Sequence, residues 1–125
     1  MIFTWFAVRD ARAPRTPRGV IGRLWRGWTA PQNADTYERL LRSEIFTGIA
    51  SRKIPGYHGI QLLRREQGDT VEFVTLMWFD SLDAVRAFAG PDYEMAVVPP
   101  NARQLLLRFD QRSAHYVVID PTPPA

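Results

Sequence analysis

The sequence predicts an α+β domain of the ferredoxin-like, split βαβ type, an antiparallel four-stranded sheet with helices on one face. Three observations predict it. Segments rich in β-formers and segments of helical spacing follow one another in the order β-α-β-β-α-(α)-β. The two middle strands are separated only by Gln67-Gly68-Asp69, a connection that makes them an antiparallel hairpin. A chain of 125 residues, 46% hydrophobic and 23% charged, is one globular domain with enough apolar material for a core.

Residues 1–19 stand apart. An apolar octet precedes an Arg/Pro/Ala stretch, the reverse of a secretory signal, so this segment is read as a non-structural arm or a misassigned start. The domain itself is expected over 20–120. "VIGRLWRGW" alternates and is the first strand, about 20–28. Thr29 can cap the next helix and Pro31 suits its first turn, while Asp35-x-x-Glu38 offers a second start. Tyr37, Leu40, Leu41 and Ile45 share one face, which places a helix over about 31–49.

Pro55-Gly56 then turns the chain into "YHGIQLLRRE" and "TVEFVTLMWF", the hairpin strands. Ser81 caps a second helix, with Leu82, Val85 and Phe88 or Ala89 facing inward and Gly90 as its stop. "PDYEMAVVPP" is irregular, "NARQLLLRF" reads as a third, shorter helix, and "AHYVVI" (114–119) closes the sheet. Residues 121–125 are a Pro-rich tail.

The strand over 70–79 is apolar on both faces. Val71, Phe73, Thr75, Met77 and Phe79 point one way, and Val74, Leu76 and Trp78 point the other. Helices cover only one face of such a sheet. The remaining face is expected to meet its own copy across a two-fold axis, a homodimer.

Charge and composition exclude several classes. The net charge of +3 sits in residues 1–19, which hold four arginines against Asp10, while the remaining chain carries 12 basic and 12 acidic side chains. A nucleic-acid surface needs its excess on the folded part, so no nucleic-acid partner is expected. No apolar run is long enough to span a bilayer, so no membrane partner is expected either. The absence of cysteine rules out disulfides, thiolate nucleophiles and Cys-ligated metal, and suits a cytoplasmic protein.

Four segments, "RLWRGWT", "PGYHGIQLLRR", "FVTLMWFDSLDAVRAFAG" and "SAHYVVI", carry a family likeness. Over Val20 to Ile119 the chain resembles the antibiotic biosynthesis monooxygenase superfamily, the dimeric α/β-barrel proteins. The resemblance implies that two sheets face each other as a barrel, with a ligand pocket between each sheet and its helices. It further implies cofactor-independent oxygenation of a small aromatic or polyketide-like compound, or a non-catalytic dimeric small-molecule-binding or stress-related role. No cofactor is expected. Haem is disfavoured because haem-degrading members carry a His seven residues after the capping Ser, where this chain has Phe88, and an Asn on the first strand, where residues 20–28 have none. The Trp that relatives carry two residues before that Ser falls on Phe79, with Trp78 one place earlier and so on the other face.

Several side chains are candidates for the site. His115 is the expected catalytic base, since its side chain titrates near neutrality and direct reaction with oxygen requires an ionised substrate. Arg23 and Arg26 have odd spacing and face opposite sides. One must point inward, where a guanidinium needs a carboxylate or a ligand oxygen. The alternative is a salt bridge to Glu72, Asp80 or Asp110. Trp25 and Trp78 are expected to sandwich an aromatic ligand, with Phe79, Phe88 and Tyr116 adding aromatic surface. His58, at a strand start, is read as solvated, and no metal site is expected.

Overall fold

The structure, a computed structural model, describes residues 20–120, so the expectations for 1–19 and 121–125 lie outside the described residues. The order is β1 (Ile21–Thr29), α1 (Pro31–Leu40), a π-helical turn (Leu41–Ile45), α2 (Phe46–Ser51), β2 (Tyr57–Gln67), β3 (Thr70–Phe79), α3 (Leu82–Ala89), α4 (Pro100–Arg103), β4 (Leu106–Phe109) and β5 (Ala114–Val117). This is the expected α+β, ferredoxin-like arrangement. The sheet has four lanes but five strands, ordered β2-β3-β1 with β4 and β5 sharing the last lane. β4 pairs with the Gly27–Thr29 end of β1 and β5 with the Ile21–Leu24 end, all antiparallel.

The fold corrects three expectations. The third helix does not extend over "NARQLLLRF". Only Pro100–Arg103 is helical, and Leu106–Phe109 is strand. The exposed edge of β1 offers this segment a backbone ladder that outweighs leucine's helix propensity. Thr29 is not a cap. It ends β1 fully buried, Ala30 occupies the cap position without a side-chain bond, and Pro31 is the first helical residue. Asp35 and Glu38 do not start a helix either; both accept from Arg64 at 2.8 Å.

The other local signals stand as read. Gly68, at φ +75°, opens the two-residue turn between Gln67 and Thr70, a conformation glycine adopts without strain. Ser81 Oγ accepts the Ala84 N–H at 3.2 Å and Gly90 ends α3 at φ +99°.

Register settles which face meets the helices. Val71, Phe73, Thr75, Met77 and Phe79 are buried under them. Directly opposite on β1, Ile21, Arg23, Trp25, Gly27 and Thr29 share that inner face. The core falls into two clusters, one of Ile21, Met77, Phe79, Val85 and Phe88 beneath α3, the other of Ala34, Tyr37, Leu41, Val71 and Phe73 beneath α1.

The π turn has a cause in the sequence. Tyr37, Leu41, Ile45 and Ile49 are spaced by four, and an α-helix overshoots by about 40° at each such step. One wide turn takes up most of that drift and keeps all four side chains over the sheet. Ser43 Oγ, donating to the Arg39 carbonyl at 2.7 Å, occupies an acceptor that the regular ladder would use.

Candidate functional site

Between the two core clusters lies a cavity of about 60 Å³. The sheet supplies Arg23, Trp25, Thr75 and Met77 to its wall, and the π turn with α2 supplies Leu41, Ile45, Phe46 and Ile49. Phe88 of α3 and Ser113, just before β5, complete the sheet end. Among the described residues no acidic side chain lines it. Its volume is room for about two waters, well short of the ~150 Å³ that holds a benzene ring.

Arg23 is the outstanding group. It is 3% exposed, yet among the described residues no carboxylate pairs with it. Its Nη1 donates to the Tyr93 carbonyl (2.5 Å) and to His115 Nε2 (3.0 Å), and Nη2 donates to the Met95 carbonyl (3.1 Å). The guanidinium also lies 5.4 Å from the centre of the Phe88 ring. All of these partners are neutral. Burial without a counter-charge lowers its pKa to about 10, so it remains a cation at neutral pH.

His115 stands across the β1–β5 ladder from Arg23. A guanidinium only donates, so Nε2 is the acceptor and the ring proton sits on Nδ1, which is buried without a partner. Desolvation first, and then the Arg23 charge, push its pKa down to about 4 against a weaker pull from Glu94. The ring meets Tyr93 edge-on at 5.0 Å. His115 is therefore neutral, with its lone pair already engaged, and it is not among the cavity's wall residues. The expected base thus accepts from Arg23 through Nε2 in this arrangement.

The remaining expected residues divide by strand face. Trp25 lines the cavity and anchors its indole N–H on the Asp110 carbonyl at 2.9 Å. Phe88 lines it as well, in contact with Phe79 at 6.0 Å between ring centres. Phe79 is fully buried core behind that wall. Arg26, Trp78 and Tyr116 occupy the outer face. Arg26 makes the two-pronged bond to Asp110, at 2.9 and 3.2 Å, that the salt-bridge alternative anticipated. Trp78 donates to Gln61 Oε1 at 2.9 Å. Because Trp25 and Trp78 stand on opposite faces of one sheet, they cannot stack on the same ring, and the expected sandwich is withdrawn.

His58 sits in the bulge at the start of β2, bonded to Asp80 at 2.5 Å. Among the described residues no three His, Cys, Asp or Glu side chains gather as metal ligands, and no helix is long and apolar enough to cross a membrane.

Sequence reading missed Ser113, Thr75 and the π-turn wall. A serine ahead of a strand is ordinarily solvated, so Ser113 carried no signal. The four-residue spacing from Tyr37 to Ile49 was one for the π turn.

No protein-family model and no curated protein sequence matches the chain. Solved structures do. A Bacillus cereus protein described as a candidate antibiotic biosynthesis monooxygenase shares 17% identity over 85% of this chain and 98% of its own, with a TM-score of 0.58. SnoaB, a cofactor-independent oxygenase from Streptomyces nogalater, shares 20% over 78% and 91%, at 0.51. A NIPSNAP-like domain protein from Burkholderia xenovorans shares 17% over 86% and 91%, at 0.58. The likeness to antibiotic biosynthesis monooxygenase proteins thus covers most of the chain, and it is one of fold.

Proposed function

We propose that this chain is a cofactor-independent monooxygenase acting on a small aromatic or polyketide-like compound, and that it works as a homodimer. The observation that carries the reading is Arg23, a buried cation that among the described residues is held only by neutral acceptors, on the wall of an otherwise largely apolar cavity. Such a cation is stabilised by an anion, and in a dry site that anion is held strongly. The substrate binds ionised, its charged oxygen on Arg23 and its apolar body against Trp25, Phe46 and Phe88.

The electron-rich anion then reduces dioxygen. One electron passes to O₂, the substrate radical and superoxide join through a C–O bond, and the peroxide takes a proton from solvent; loss of the remaining C–H proton of that carbon with cleavage of the O–O bond leaves a carbonyl and water. One oxygen atom stays on the substrate and the other leaves as water, all four electrons coming from the substrate. His115 takes no proton in this scheme; it keeps the guanidinium aimed. A cavity of about 60 Å³ accommodates dioxygen as it stands, whereas an aromatic body enters by displacing the half-buried Ile45, Phe46 and Ile49 at the π turn. π turns of this kind concentrate at functional sites.

That same volume supports a second reading, a dimeric small-molecule-binding protein without turnover. Oxygen uptake over a panel of hydroxylated aromatics, with no added cofactor, separates the two. Uptake by the native protein that is lost in Arg23→Met is the expected result. Ligand binding with no uptake across the panel would move the assignment to the binding protein.

A further inference from the structure

The charged end of the cavity is more specific than a single cation, and its role as a head-group site rests on the reading that this cavity binds the ligand. Arg23 has five N–H donors. Two on Nη1 are taken by Tyr93 and His115 and one on Nη2 by Met95. Among the described residues nothing accepts from Nε–H or from the second Nη2–H of this planar group. Ser113, 4% exposed, lines the same cavity, and its buried Oγ has no hydrogen-bond partner. A buried hydroxyl left unpaired is costly, as is a buried cation without a counter-charge. One ligand group relieves both.

We infer that Arg23 Nε–H, the spare Arg23 Nη2–H and Ser113 Oγ–H form a head-group site for a monoanion whose charge is shared over two oxygens. Two species fit that description, a carboxylate and its vinylogue, the enolate of a 1,3-dicarbonyl compound. Two N–H donors on one planar guanidinium match two oxygens better than one. The hydroxyl adds a third bond to the same pair. A dianion or a phosphate is disfavoured, because one cation cannot neutralise it and among the described residues no second basic side chain lines the cavity. The cavity of about 60 Å³ takes a bare carboxylate group as it stands, and the longer dicarbonyl enters, like an aromatic body, by displacing the half-buried Ile45, Phe46 and Ile49. Ser113 is then a specificity-determining residue, selecting the ionised form of the ligand over its neutral isostere.

Head-group probes test this without an aromatic body. Acetate and acetylacetone are titrated into the full chain, with acetamide as the neutral isostere of acetate, and binding is followed by the Arg side-chain Nε–H resonance of Arg23. Acetate should bind at least about tenfold more tightly than acetamide. Ser113→Ala should weaken acetate by about three- to tenfold and leave acetamide unchanged. Acetylacetone should bind at neutral pH as its enolate, identified by its ultraviolet absorption.

Acetate binding alone identifies the natural head group as a carboxylate, and enolate binding identifies the dicarbonyl class. Equal affinity for acetate and acetamide, no binding of any probe, or indifference to Ser113→Ala would each overturn the inference. Should Arg23→Met fail to fold, Ser113→Ala still decides, since it removes only a hydroxyl. Failure here is distinct from failure of the oxygenase reading. Acetate binding without oxygen uptake by any aromatic leaves the head-group site standing and removes the oxygenase, and the converse result removes only the head-group site.

Discussion

A buried guanidinium with no carboxylate beside it loses several kcal/mol of hydration that neutral acceptors return only in part. Arg23 is in that position, and its neighbours Tyr93, Met95 and His115 are spent on holding it rather than neutralising it. Removing the desolvated charge is favourable, while the Tyr93 and Met95 carbonyls and His115 Nε2 lose their donor, and the two effects oppose each other. Arg23→Met is therefore expected to fold with a thermal midpoint near the native one while losing anion binding and oxygen uptake, and a strongly destabilised variant would mean that Arg23 is structural. His115 gives a pH prediction. Its folded pKa, about 4, lies below the 6.5 of the unfolded chain, so between these values the unfolded state binds more protons. Stability from this group is fully present above about pH 6.5, falls as pH drops toward 4 and changes no further below that. Protonation would set an imidazolium beside Arg23 and remove an acceptor from it, with Tyr93 and the more distant Glu94 the other groups nearby. His115→Asn should flatten that part of the acid limb in urea titrations at stepped pH; an unchanged limb would exclude His115 as its source.

At the level of elements, the site exists because two independent pieces converge on the inner face of β1. The turn before β2 shows how tightly they are fitted. Gly56 has φ +85°, its carbonyl accepts the Asp80 N–H at 2.8 Å, and a Cβ placed on it would lie 2.9 Å from the Cβ of Ala84 in the first turn of α3. Gly56→Ala is expected to cost about 1–3 kcal/mol from backbone strain and overpacking together, read as a lower urea midpoint at unchanged slope. A loss under about half a kcal/mol would show that α3 is free to shift there. Local rules of this kind made most of the fold legible. Ser81, Gly90, Pro31 and the Gly68 turn each fix a boundary within one or two residues, and strand alternation separated Phe79 from Trp78. What stayed illegible was set by pairing across the chain. Whether "LLLRF" is helix or strand depends on the open edge of β1, and Arg23 meets His115 only through a β1–β5 register between residues 92 apart in sequence. The sequence offered both arginines of β1 as candidates. Only the fold decides that Arg26 pairs with Asp110 outside and that Arg23 is left without an anion inside.

For the whole molecule, the unmet demand is the outer face of the sheet. Helices cover the inner face only. On the outer side Leu24, Val74 and Leu76 are half-buried, while Leu63 and Tyr116 are 47% and 58% exposed. These positions are cross-strand neighbours: Leu24 pairs with Leu76 and Val74 with Leu63. A contiguous band of this kind is unusual on a lone domain. Two of the basic groups around it are already paired, Arg26 with Asp110 and Arg65 with Glu72, and a third, Arg108, lies over the Trp28 ring. The proposed two-fold dimer through this face would bury the band twice over and would leave the Arg23 cavity, on the other side of the sheet, within each protomer. Sedimentation should accordingly find a dimer at micromolar concentrations. Leu76→Arg should give a monomer with native circular dichroism, since two guanidinium groups would be forced into a desolvated apolar contact with no acid to meet them. The monomeric variant should still bind acetate, because the head-group site lies on the opposite face. A native protein that sediments as a monomer would refute the face-to-face dimer. A Leu76→Arg variant that loses acetate binding as well as its partner would instead mean that the outer face holds the inner wall in shape.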